Sequence, residues 1–129
     1  MTARHILSIN ASATTVTALA MLAARNMLAP LFGLSTPLLL DVTAISFLVY
    51  AAALTFAATR QPVPREALLT FAAVDAAWVA FSAVILLLFW PNLTPIARAL
   101  TIAVALVVEV FATLQYRAAG GLSELRTQN

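Results

Sequence analysis

Two acidic residues stand inside long apolar runs: Asp75 in Ala72-Ala73-Val74-Asp75-Ala76-Ala77-Trp78, and Glu109 in Val107-Val108-Glu109-Val110-Phe111. Glu109 has no basic residue within a helical turn. Ionisable groups in such runs are costly, and they face a bundle interior, another charge or water. Two carboxyl groups at similar depth in low dielectric should not both ionise. A pair of this kind can take up and release a proton, or hold a cation when both members are charged, as relays in transport proteins do. The competing reading is a protonated acid that hydrogen-bonds a hydroxyl and only fixes helix packing. Thr113, one turn from Glu109, and Tyr50, near the middle of its own apolar run, are the supporting polar groups on that reading.

A second set of polar residues falls near the opposite ends of the apolar runs: Arg25, Asn26, Asp41 and Arg98. Either arginine can pair with Asp41, because a guanidinium satisfies a carboxylate through two parallel hydrogen bonds. The arginine left over can snorkel to an interface or to a helix-end carbonyl. The alternative use of this cluster is an anion or headgroup site.

Other chemistry is excluded by what the chain lacks. It has no Cys, so disulfides, thiol redox steps and iron–sulfur ligation are absent. His5 is its only histidine, which leaves no multi-His metal site within one chain. There is no Gly-rich phosphate loop, nucleophile elbow or paired-His motif. A net charge of only +2 gives no polyanion-binding patch. The expectation is a non-enzymatic protein with no cofactor, no metal and no nucleic-acid partner.

The elements that must position these residues follow from composition. The chain has 129 residues, 63% hydrophobic and 9% charged, with a mean hydropathy of +0.98. A soluble domain is about 25% charged, and one this small could not bury so much apolar surface. Bilayer is the solvent that fits. A hydrocarbon core of about 30 Å needs roughly 20 apolar residues per helix. Four such spans are expected, over residues 6–32, 37–59, 66–90 and 95–117, followed by a polar tail over 118–129. The first run continues unbroken to Pro30, which reads as a retained span and not as a cleaved leader. Thr36-Pro37 and Thr94-Pro95 each suit an N-cap followed by proline at the first helical position. Gly120-Gly121 reads as the end of the fourth span. The fold expected is all-α: a polytopic integral membrane protein, a single four-helix up-down bundle with short loops over residues 1–129.

Arginine placement sets the orientation. Arg4, Arg60, Arg65, Arg117 and Arg126 lie on one side of an even number of spans, which makes both termini cytoplasmic by the positive-inside rule, in a bacterial inner membrane. On the fourth span Arg98, Thr101, Ala105, Glu109, Ala112 and Tyr116 recur at helical spacing, so this face is expected inward. The activity expected is a small proton- or cation-linked transporter or channel using Asp75 and Glu109. The alternative is a non-enzymatic subunit, assembly factor or regulator of a larger membrane complex. Four helices enclose little volume, so a homo-oligomer or a partner membrane protein is expected beside the lipid.

Overall fold

The computed structural model describes residues 2–128, with side chains through residue 121. The chain is all-helical across that range: α1 (Ala3–Ala23), α2 (Arg25–Leu31), α3 (Leu38–Ala58), α4 (Arg65–Phe89) and α5 (Pro95–Gln128), with a single 3₁₀ turn over Trp90–Asn92. Four segments are long and apolar enough to cross a membrane: Ala3–Ala23, Leu38–Ala58, Arg65–Asn92 and Pro95–Gly121. At 1.5 Å per residue, the 21 residues of α1 or α3 extend roughly 30 Å, the thickness of a hydrocarbon core. Their outward faces carry exposed Leu, Val, Ile and Phe side chains, among them Leu38, Leu87 and Leu106.

The first apolar run is two helices instead of one. Ala24 leaves the helical region (φ −103°, ψ 16°), and α2 restarts at Arg25. The break lets the Arg25 side chain turn onto the first turn of α3, where it meets Asp41. α2 closes with two linked bonds, Leu34 N–H to the Ala29 carbonyl at 2.9 Å and Gly33 N–H to the Pro30 carbonyl at 3.0 Å. This is the Schellman pattern, and it needs a left-handed residue one past the cap. Gly33 supplies it at φ +71°. A Cβ on Gly33 would also meet the Asn92 carbonyl oxygen at 2.9 Å. Gly33→Ala is therefore expected to cost at least about 1–2 kcal/mol, the penalty of the left-handed conformation alone. Thermal unfolding in detergent measures it, and an unchanged midpoint would contradict the assignment.

The helix ends correct two expectations. Thr36 does not cap α3, which starts after Pro37 with no side-chain cap. Thr94 does cap α5: its hydroxyl accepts from Ala97 N–H at 3.3 Å and donates to the Leu31 carbonyl at 3.0 Å. The Leu31 carbonyl also accepts from Thr94 N–H at 3.1 Å, so two bonds tie the end of α2 to the start of α5. Gly120 and Gly121 do not stop α5, which continues to Gln128. A glycine costs about 1 kcal/mol inside a helix but ends one only where the chain needs a left-handed turn.

α1 packs chiefly on α3, and α4 on α5, with α1 also touching α5. Alanines make the first pairing close: α1 buries Ala11 and Ala18, and α3 buries Ala44, Ala51 and Ala58 at seven-residue steps. The main buried cluster joins Leu7 and Ala11 of α1, Leu54, Ala57 and Ala58 of α3, Val63, Leu68 of α4 and Ala119 of α5. It gathers the start of α1, the end of α3, the start of α4 and a late turn of α5 at one end of the molecule. The loops at 32–37 and 90–94 meet at the other end.

Candidate functional site

Just inside the buried cluster, four helices each send one polar side chain to a common point. Asp75 of α4 is 5% exposed, Asn10 of α1 is 3% exposed and Gln115 of α5 is fully buried. The Asp75 carboxylate accepts three hydrogen bonds. Tyr50 Oη of α3 donates to Oδ1 at 2.9 Å, while Asn10 Nδ2 at 3.0 Å and Gln115 Nε2 at 2.8 Å donate to Oδ2. Asn10 Nδ2 also donates to Gln115 Oε1 at 2.9 Å, closing a ring of three side chains. Thr14 Oγ1, one turn along α1, donates to Asn10 Oδ1 at 3.2 Å. A buried polar network is tolerable when all its members are satisfied, and here each amide has its partners.

All three donors to Asp75 are neutral. The one ion pair among the described residues is Arg25–Asp41, near the other end of the molecule. Tyr50 Oη lies 3.3 Å from the Phe71 carbonyl as well as 2.9 Å from Asp75, so its proton has two acceptors in reach. The hydroxyl can donate to an ionised Asp75. It can also turn its proton to Phe71 and accept from a protonated one, because a phenol both donates and accepts.

From this network a cavity of about 440 Å³ runs between the helices, bordered by Asn10, Tyr50 and Asp75. Its remaining walls include Thr17 of α1, Phe47 of α3, Trp78 of α4 and Phe111 of α5. α3 and α4 meet here through large side chains, with Phe47 and Trp78 edge to face at 4.9 Å and Tyr50 and Phe71 at 5.7 Å. Small residues would close the gap; aromatic pairs hold the helices apart and leave the space. Trp78 Nε1 is shielded from solvent and has no acceptor among the described residues.

Glu109 is not part of this site. It is exposed on α5, as is Thr113, whose hydroxyl donates to the Glu109 backbone carbonyl at 3.0 Å. The expected pairing of Asp75 with Glu109 is therefore corrected. The reason is helical phase: the face α5 buries runs through Ala97, Phe111, Ala112, Gln115 and Ala119, displaced by one position from the stripe through Arg98, Glu109 and Tyr116. Asn10 and Gln115 were missed as site residues. The sequence does carry a signal for them, since each is an amide inside an apolar helix and in need of a partner there.

The other polar group is divided. Arg25 and Asp41 form a two-pronged pair, with Nε donating to Oδ1 at 2.8 Å and Nη2 to Oδ2. Arg98 stands apart: Nε and Nη2 donate to the Trp90 carbonyl at 3.1 and 2.6 Å, and the guanidinium lies 4.2 Å from the Trp90 ring centroid. Asn26 is exposed and outside the ion pair. Both arginines are accounted for by protein partners. No group of three or more metal-ligating side chains occurs among the described residues. Comparison with known proteins gives no match to a family model, to a curated protein or to a solved structure.

Proposed function

We propose that this chain is an integral membrane protein, an up-down bundle with both termini cytoplasmic, that carries a proton or a cation at Asp75. One observation carries the reading: a buried carboxylate with only neutral donors, and no basic partner among the described residues, borders an inter-helical cavity. A carboxylate kept only for packing is better served by an arginine, as Asp41 is by Arg25. Tyr50 adds to the case, because its two acceptors let the network hold Asp75 either charged or protonated. Glu109 has no part in this version of the mechanism.

The test is flux into liposomes carrying the purified protein, read with an internal pH dye and with cation-selective dyes under an imposed gradient. The parent protein is expected to conduct. Asp75→Asn, which keeps the side-chain shape, is expected to lower the rate by at least about tenfold, a barrier change of about 1.4 kcal/mol. Glu109→Gln is expected to leave it unchanged. Absence of flux in a folded parent protein would sink the reading.

A second reading, a non-enzymatic subunit or assembly factor of a larger membrane complex, is favoured by the same network seen differently. Asp75 has enough donors to act as a rigid latch between helices. Cross-linking in native membranes tests it, and recovery of the chain without any partner would count against it.

A further inference from the structure

We infer that the cavity beside Asp75 binds a hydrophobic amine, with its ammonium on the Asp75 carboxylate and its apolar body between the helices. The inference rests on the reading of Asp75 as a chemically working group, and it adds what that group recognises. A carboxylate offers about four acceptor positions, and the protein fills three of them. Asp75 borders the cavity, so one acceptor position remains for a donor arriving from that side.

The walls fix the rest of the ligand. Among the described lining residues Asp75 is the only acidic or basic side chain, so the complement carries a single positive charge. The hydroxyls around the cavity are already engaged. Thr17 donates to the Ala13 carbonyl, Thr43 to Leu39, Ser46 to Val42 and Thr14 to Asn10 Oδ1. The walls therefore behave as an apolar surface with few open polar positions, which suits an aromatic or aliphatic body. Phe47, Tyr50, Trp78 and Phe111 put aromatic rings on this lining, and ring faces favour an organic cation over a neutral molecule. At about 440 Å³ the space lies within the range of small-molecule sites.

Trp78 also provides the readout. The chain has two tryptophans, so Trp90→Phe leaves Trp78 as the sole reporter. Its emission is followed in detergent while phenoxyethylamine is added, with phenoxyethanol as the uncharged control for partitioning. The amine is expected to saturate the signal about tenfold more tightly than the alcohol, the scale of one charge-assisted hydrogen bond. Asp75→Asn should abolish that preference while leaving the alcohol response unchanged. Thr17→Phe fills the cavity without touching the Asp75 network, and it should remove the saturable response to both compounds. Equal binding of amine and alcohol to the parent protein, or a preference that survives in Asp75→Asn, overturns the inference. So does a response that persists in folded Thr17→Phe, which also decides the matter if Asp75→Asn does not fold. Binding needs no gradient, so the two readings fail separately: amine preference without flux removes only the transport reading, and flux without amine preference removes only this one.

Discussion

Gln115→Leu is expected to destabilise the folded bundle by about 3 kcal/mol, more than most single substitutions. Leucine nearly matches glutamine in volume, so packing is little disturbed and the loss is polar. Asp75 Oδ2 loses its 2.8 Å donor, and Asn10 Nδ2 loses one of its two acceptors. A hydrogen bond to a charged group contributes about 1.5–3 kcal/mol, and the buried partner left behind adds its own desolvation cost. The instructive comparison is the triple variant Asn10→Leu, Asp75→Leu, Gln115→Leu. Replacing a whole buried polar network with apolar groups can be nearly neutral, whereas removing one member strands the others. The triple variant should therefore be more stable than Gln115→Leu alone, with Tyr50 donating to the Phe71 carbonyl. Unfolding in mixed micelles measures both, and a triple variant as unstable as the summed single variants would show that the ring is not a coupled unit.

Leu54→Ala should cost about 2–5 kcal/mol. Leu54 is fully buried where the start of α1, the end of α3, the start of α4 and a late turn of α5 converge. In the bilayer proposed for this chain, lipid tails are as apolar as leucine, so the loss would not be one of water expulsion. It comes from dispersion contacts around a cavity that four helices cannot collapse together. Leu106→Ala provides the control: the side chain is 63% exposed, and its removal should stay within about 0.5 kcal/mol. Equal effects at the two positions would mean that the cluster at this end does not hold the helices together.

Much of the helix pattern was legible because it depends on local chemistry. Runs of about 20 apolar residues and the Thr94-Pro95 start both follow from short-range preferences. Legibility failed where a distant partner decided a local event. Thr36-Pro37 and Thr94-Pro95 look alike in sequence, yet only Thr94 caps a helix. Thr94 has the Leu31 carbonyl to hold its side chain in place. The break at Ala24 has no Gly or Pro to announce it, and it accompanies the reach of Arg25 to Asp41.

The Asp75 site divides along the same line. Asp75 was singled out because an ionisable group in an apolar run is costly wherever it faces, and Tyr50 as a hydroxyl able to bond such an acid. Their meeting, and the exclusion of Glu109, depended on helix rotation. A displacement of one residue on α5 turns a side chain by about 100°, enough to put Gln115 in the interior and Glu109 on the outside. Hydropathy is a weak guide to that angle here, because apolar side chains are exposed on the outward face of α5 as well as buried on its inner one.

The sequence by itself therefore determined that this protein is a set of four long apolar helices with very few charges within them. Length and composition suffice for that, since they measure the cost of placing each residue in water or in hydrocarbon. Which of those charges found a partner, and which partner, was decided only by the tertiary structure. Arg25 went to Asp41, Arg98 to a backbone carbonyl, and Asp75 to three neutral donors from three other helices. These choices depend on the rotation of one helix against another, and that angle is set by how alanines and aromatic rings fit across an interface.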